Sequence, residues 1–406
     1  MTVQQIYQLM NNVTKEVLGK TDLVAEDLSN VVDVGTELFN ASAVDNYVKT
    51  LVNHIGKVVF VNRPYSGKIP SVLMDSWEFG SVLEKISCDT PEAEENESWD
   101  LVDGQEYKQD IFYKPTVSAK FFNSKVTFEV PMSFTEKQVK ESFSNAAQLN
   151  GFISMIYNAV DRSMTIKIDG LVMRTINSMI AQTLNADKTA FAGGYGTAST
   201  ARCVNLLKLY NDKFFPDTPG TGGGSTPNPD ALTADKAIYD PDFIRFASYT
   251  MGVYVDRLAS ISTLFNVGGK DRFTDANNLH VIMLSDFAKG ADVYLQSDVR
   301  HNEMTRLPNY ETVPYWQGSG QNYEFDSTSA INVKIDASTT VEIDGIVGVM
   351  FDRDALGVSN LDRRVTTAYN AKAEFFNNYY KFDAGYFNDT NENFVVFFVS
   401  DEKTGS

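Results

Sequence analysis

The spacing of apolar residues changes period several times along the chain. The first forty residues are polar with scattered Val and Leu, the pattern of an arm that leans on something else rather than of a domain with its own core. Between 41 and 55, Val44, Tyr47, Val48, Leu51, Val52 and Ile55 recur at three- and four-residue steps, which predicts a one-faced helix ended by Gly56. Val58-Val59-Phe60-Val61 reads as a strand, and Pro64, Gly67 and Pro70 then break the regularity. A second strand signal covers Val117–Val130, where Lys125–Val130 alternates polar and apolar as a half-buried strand does. Residues 58–133 therefore read as a long hairpin-like excursion.

The strongest helical signal starts at Thr135, a candidate cap with Glu136 in the first turn, and runs to about Asp161. Val139, Phe143, Ala146, Asn150, Ile153, Tyr157 and Val160 follow 4-3-4-3-4-3 spacing, one stripe along a helix of ~40 Å at 1.5 Å per residue. A second helical pattern carries Ile168, Leu171, Val172, Thr175, Ile176, Met179 and Ile180. Both stripes read as core packing. From 186 the chain mixes helices and strands, interrupted by the Gly/Pro/Ser/Thr run Pro216–Pro227, a flexible surface loop inside one domain. Asp242–Leu264 reads as a helix, His280–Leu284 as a buried strand, Ser285 as the start of another helix and Val341–Phe351 as a strand with glycines. The aromatic tail predicts a strand pair: Phe375, Phe376, Tyr379, Tyr380 and Phe382, a polar turn at Asn388–Asn393, then Phe394–Val399. No fixed repeat period is present.

Composition narrows the class. In 406 residues, 43% apolar and 12% aromatic content support substantial cores, and the length suits two or three domains. The 53 acids against 35 Lys and Arg give a charge of −18, which disfavours phosphate neutralisation as the main task. The acid is concentrated: Asp89, Glu92, Glu94, Glu95, Glu97, Asp100, Asp103, Glu106 and Asp110 face Lys108 alone, a density that resists compaction and reads as a solvated face. Two cysteines, Cys88 and Cys203, make neither a disulfide framework nor a CxxC motif, so a reducing compartment fits. The N-terminal residues lack a signal peptide's basic start and apolar core, and no apolar run approaches a membrane span.

Chemistry-bearing patterns are sparse. His54, His280 and His301 are scattered without metal-ligand spacing and read as structural. Asp352-Arg353-Asp354-Ala355-Leu356-Gly357 imitates the start of a calcium loop but has Leu356 at the fifth position and Arg363 at the twelfth, so a turn after a strand is the expectation. Gly318-Ser319-Gly320 lacks nucleophile-elbow spacing, and Gly193-Gly194-Tyr195-Gly196 lacks the residues of a phosphate loop. No catalytic, cofactor-binding or metal-binding residue is assigned, and no cofactor is expected.

The order of parts, with Val32-Asp33-Val34-Gly35 before the Val44–Gly56 helix, Gly67-Lys68-Ile69-Pro70, the segment Phe143–Ala181 with Phe152–Val160, and Val347–Asp354 through to Val399, resembles a known family. It is similar to the major capsid proteins of tailed bacteriophages, the Hong Kong 97 fold, and within them to those of small short-tailed phages of Gram-positive bacteria. The resemblance implies an α+β fold with an N-terminal arm at 1–55, an E-loop at 56–133, a P-domain with a spine helix at 134–185, an A-domain at 186–352 with its insertion near 216–229, a return to P-domain strands at 353–400 and a tail at 401–406. It implies a non-enzymatic protein that self-assembles into hexamers and pentamers of an icosahedral head. Its partners would be scaffolding and portal proteins and packaged double-stranded DNA held without sequence-specific contact. No membrane is involved; the protein would reside in the virion after assembly in the bacterial cytoplasm. An anionic wall suits this role because it repels phosphate. Some relatives join an E-loop Lys to a P-domain Asn; Lys68, Lys85 and Lys108 are available here, and no cross-link is expected. The competing readings are an encapsulin-type compartment, a carbohydrate-binding module using Trp77, Trp99 and Trp316, and a hydrolase with dispersed site residues.

Overall fold

The computed structural model describes residues 3–18, 24–25, 50, 69–74, 83–88, 90–91, 93–107, 110, 112–135, 137, 146–219, 225–296, 310–317 and 324–401. In chain order, helix α1 (Val3–Leu18) and the short strand β1 (Leu73–Met74) precede β2 (Leu83–Cys88), β3 (Val117–Phe122), β4 (Lys125–Thr135) and the long helix α2 (Ala146–Ala186). Next come β5 (Cys203–Asn205), α3 (Leu206–Phe214), the two-residue strands β6 (Thr218–Pro219) and β7 (Ser225–Thr226), the turn α4 (Ala234–Ala237) and α5 (Pro241–Ala259). The chain continues through β8 (Leu279–Leu284), α6 (Ser285–Gln296), β9 (Glu311–Val313), the turn α7 (Phe325–Thr328), β10 (Ile331–Lys334) and β11 (Thr340–Ile343). It closes with β12 (Ile346–Asp352), β13 (Leu356–Asn370), β14 (Phe375–Asn388) and β15 (Phe394–Phe398). Helices and sheets are mixed along the chain, an α+β arrangement, and two compact units emerge.

The first unit holds Met1–Glu78, Ser124–Val172 and Val358–Gly385. Its sheet has the order β1-β13-β14-β4. β4 and β14 run antiparallel from Phe375 opposite Thr135 to Gly385 opposite Lys125. Along β14, Phe376, Asn378, Tyr380, Phe382 and Ala384 are buried while the residues between them are partly exposed, the period of a sheet with one covered face. The opposite face pairs charge: Arg364 lies 2.6 Å from Asp383, and Lys381 lies 3.2 Å from Glu129. In α1, Met10, Val13 and Thr14 are buried on one side, so part of the polar stretch read as an arm is an amphipathic helix.

The second unit holds Phe79–Asn123, Met173–Gly357 and Tyr386–Ser406. Its main sheet has the order β5-β15-β12-β8-β9, with β12 antiparallel to both neighbours and the outer pairs β5/β15 and β8/β9 parallel. Every residue of β15 is buried, as are six of the seven in β12, which is why both read as unbroken apolar runs rather than alternating ones. α5 is capped by Asp240, whose carboxylate accepts the Phe243 amide at 2.8 Å, and Pro241 opens its first turn. It buries Phe243, Ile244, Ala247, Met251, Tyr254 and Leu258, and the Tyr254 ring meets the edge of Phe397 at 5.3 Å. β11 and β12 are separate strands because Gly345 between them takes φ +76°, and a Cβ there would lie 1.9 Å from the Val399 carbonyl oxygen.

The structure departs from the sequence reading in four further places. Thr135 is the last residue of β4 and not a helix cap, because the strand alternation continues far enough for Phe134 and Thr135 to pair with Phe376 and Phe375. The two helical patterns form one helix of 41 residues. Nothing between Asp161 and Ile168 is a breaker, and Ile156, Val160, Met164, Ile168 and Val172 carry one buried stripe through the expected gap. The strand signal over 117–130 splits after Phe122, β3 pairing with β2 and β4 with β14. The terminal strands are not a hairpin: β14 pairs with β4 while β15 pairs with β12 and β5. β14 buries alternate residues and β15 every residue, and Asn388–Asn393 carries the chain from one sheet to the other. The helix expected at 41–55, the strand at 58–61, and Val139 and Phe143 lie outside the described residues.

Candidate functional site

β2 and β3 form a two-stranded ribbon within the second unit, registered from Leu83 opposite Phe122 to Cys88 opposite Val117. Strand geometry sorts its side chains onto two faces. On the outer face stand Ile86, Cys88, Val117, Ala119 and Phe121, all exposed, an apolar strip beside the single charge of Glu84. Beyond the strand ends the excursion continues outward: Trp99 is 94% exposed and Phe112 87%, with Leu101, Val102 and Tyr113 also in solvent. The hydrogen bonds that shape this end are local, such as Val102 N–H to the Tyr107 hydroxyl at 2.9 Å and Gln105 N–H to the Val102 carbonyl at 3.3 Å. Glu94, Glu95, Asp100, Asp103, Glu106 and Asp110 are exposed among these apolar groups. Exposed apolar groups flanked by charge are the composition of an interaction site.

The inner face is anchored. Lys85 and Lys120 stand directly opposite each other in the ribbon, a like-charge pair that by itself opposes pairing. Both ammonium groups reach one carboxylate: Lys120 Nζ lies 2.9 Å from Asp389 Oδ1 and Lys85 Nζ 3.2 Å from Oδ2. Lys120 also donates to the Thr390 hydroxyl at 3.3 Å, and Lys85 donates to the Asp354 carbonyl. Asp389 is 3% exposed and sits in the Asn388–Asn393 turn, where its amide donates to the Ala355 carbonyl at 2.7 Å. Glu392 from the same turn receives Arg272 at 3.1 Å and lies 4.0 Å from Lys85. Apolar contact closes the inner face, with the Phe122 and Phe387 rings 5.1 Å apart and Lys85 Nζ 5.3 Å from the Phe387 centroid.

Two other surface features belong to the second unit. A trough of about 560 Å³ is lined by Tyr210, Phe214, Phe215, Phe246 and Tyr249 with Asp242 and Arg245 at its edge. A second depression holds Asp326 and Asp344, whose carboxyls are raised by burial and by nearby acids, Asp235 and Asp401 among them.

The residues considered for chemistry are dispersed. Asp352 uses both carboxylate oxygens in the fold, accepting from the Thr274 hydroxyl at 2.7 Å and the Asp354 amide at 2.9 Å, so this segment is the expected turn. His280 is the second residue of β8, beside the Phe351 ring, and burial holds its imidazole below the usual range. Cys203 is buried in β5, which pushes its thiol up and disfavours the thiolate. Trp316 is unavailable to a carbohydrate: it is 1% exposed and its indole donates to the Ile346 carbonyl at 2.8 Å. His54, His301, Trp77, Lys68, Lys108 and Gly318–Gly320 lie outside the described residues. Among those described, no group of three or more His, Cys, Asp or Glu could hold a metal, and no helix is long and apolar enough to cross a membrane. Sequence reasoning missed Lys120 and Asp389 and met Lys85 only as a cross-link candidate. Their one readable signal, two lysines at inward positions of a ribbon, needs the register of strands thirty residues apart.

Comparison with known proteins gives this architecture a family. No curated protein sequence matches the chain. Among solved structures, the chain is similar to one in the capsid structure of Staphylococcus phage Andhra, at 8% identity and TM-score 0.47 with 84% of this chain and 86% of that one covered. A chain in the structure of head fiber and inner core protein gp22 of native bacteriophage P68 matches at 7% identity and TM-score 0.47, with the same coverages of 84% and 86%. One from Microbacterium phage Oxtober96 matches at 12% and TM-score 0.41, covering 84% of this chain and 94% of that one. The family profile described as Phi29-like phage major capsid protein aligns with residues 10–218 and 234–398, nearly the whole length, and the chain therefore belongs to that family of phage major capsid proteins.

Proposed function

We propose that this capsid protein builds its shell through the 83–123 ribbon, which lies across a neighbouring subunit and buries its outer strip and its projecting aromatics there. The observation that carries this reading is the exposure of Ile86, Trp99, Leu101, Phe112, Tyr113 and Phe121 on one excursion whose inner face is already committed to its own subunit. A two-stranded ribbon with open edges is marginal alone and gains stability when a second surface covers it. In this proposal the ribbon is the E-loop (56–133) of a Hong Kong 97-type subunit. Residues 1–55 serve as the arm, 134–185 as the P-domain with its spine helix, and 186–352 as the A-domain. The chain returns through 353–400, supplying β15 to the A-domain sheet. The subunits form hexamers and pentamers of an icosahedral head around double-stranded DNA, assembled in the bacterial cytoplasm with scaffolding and portal proteins. The role is structural rather than enzymatic. The charge of −18 supports it, because a wall that repels phosphate leaves packed DNA free to move.

Sedimentation of the full chain tests the ribbon's part. Wild-type protein, supplied with scaffold where assembly requires it, is expected to form closed shells. The triple variant Trp99→Ser, Phe112→Ser, Tyr113→Ser is expected to remain a soluble, folded subunit, since these side chains contribute little to the monomer. Normal shells from the triple variant would refute the proposal.

A further inference from the structure

The ribbon's attachment contains an electrostatic arrangement that its role as a contact surface does not by itself require. Lys85 and Lys120 form a cross-strand pair in register, so in an isolated ribbon their repulsion works against the strand pairing that brings them together. Among the described residues, the groups within ion-pair distance of them are carboxylates of a distant turn: Asp389, gripped by both, and Glu392, 4.0 Å from Lys85 and itself held by Arg272. Asp389 is nearly fully buried and cannot substitute water for these partners. The carboxylate turns a repulsive pair into a three-charge clasp, and the clasp ties β2 and β3 to a turn that leads directly into β15 of the core sheet.

We infer that Lys85, Lys120 and Asp389 form an electrostatic latch whose closure holds the 83–123 ribbon in one position on its own subunit, and whose opening both frees and partly unzips the ribbon. The latch thereby regulates presentation of the outer strip, and in that respect it rests on the reading of the ribbon as a shell contact. Its physical content is independent of that reading. A merely structural anchor would lose hold in proportion to the contacts removed. A latch built on a repelling pair behaves differently: removing the carboxylate while keeping both lysines is worse than removing all three charges.

Hydrogen exchange on the full-length subunit, kept dilute enough to remain unassembled, distinguishes these cases. The amides of β2 and β3 report the ribbon, and those of β8, β12 and β15 report the fold in the same sample. Asp389→Asn is expected to accelerate ribbon exchange by about tenfold or more, the worth of a hydrogen bond to a charged group. The triple variant Asp389→Asn, Lys85→Gln, Lys120→Gln is expected to exchange more slowly than Asp389→Asn alone, with core protection unchanged. Should Asp389→Asn fail to fold, Lys85→Gln/Lys120→Gln, which alters only partly exposed side chains, is expected to loosen the ribbon while Lys85→Arg/Lys120→Arg retains protection. Wild-type ribbon protection in Asp389→Asn, or in the double Gln variant, would overturn the latch. So would a triple variant exchanging as fast as Asp389→Asn. Because the readout uses unassembled protein, it does not depend on where the ribbon lies in a shell.

Discussion

Burial by itself would raise the Asp389 carboxyl, but the hydrogen bond from Lys120, the Asn391 amide and the two ammonium charges outweigh it and hold the group below the usual Asp value. A carboxyl held lower in the folded state than in the unfolded one adds stability that is fully present above the unfolded value and disappears as pH falls through the folded one. Glu392 acts in the opposite sense. Burial raises it despite Arg272 and Lys85, with Asp389 and Asp352 adding to the rise, so its ionisation costs stability near neutrality and that cost is relieved in mild acid. The two are separated by measuring unfolding free energy against pH in a Glu392→Gln background with and without Asp389→Asn, because Asp389 itself raises Glu392. The difference between them is expected to stay constant down to about pH 4, the unfolded Asp value, and to shrink below it. A difference that does not change over this range would show that Asp389 is not stabilised by its ionised contacts.

At the scale of the element, the strands of the second unit show what a buried environment demands. β15 is apolar at every position because it lies between β5 and β12 with both faces covered, and Phe397 meets Tyr254 of α5. Phe397→Ala is expected to cost ~3–5 kcal/mol by equilibrium denaturation, the range for emptying a large aromatic site in a core, whereas Phe121→Ala on the exposed face of β3 should change monomer stability little. Equal losses at both positions would contradict the assignment of the two faces. Such strands were legible because 394–399 is an uninterrupted apolar run and Lys125–Val130 alternates. Their partners were not, since β15 pairs with segments roughly fifty and two hundred residues away and local periodicity is silent on non-local pairing. The same limit concealed the site. Trp99 and Phe112 stand among nine acids with neither helical nor strand period, and the charge density suggested only a solvated face. That they are left exposed follows from where the fold places them, not from any spacing in the chain.

At the scale of the whole molecule, the family assignment and the surface agree. A phage major capsid protein acts by touching copies of itself, so its function resides in surfaces that a monomer leaves uncovered rather than in a pocket. The large apolar groups exposed on 86–121 and the acids around them are, in the proposed reading, such a surface, and the clasp at Asp389 holds it from the inner side. The energy per contact need not be high: a closed lattice repeats it many times, and modest pairwise terms allow misplaced subunits to leave before the shell closes. The most direct test places a photo-cross-linking phenylalanine analogue at position 112 of the full chain and irradiates assembled shells. Covalent links from position 112 to a different subunit are expected, absent when the same protein is irradiated unassembled. Links confined to the subunit's own chain in assembled shells would contradict the proposed contact.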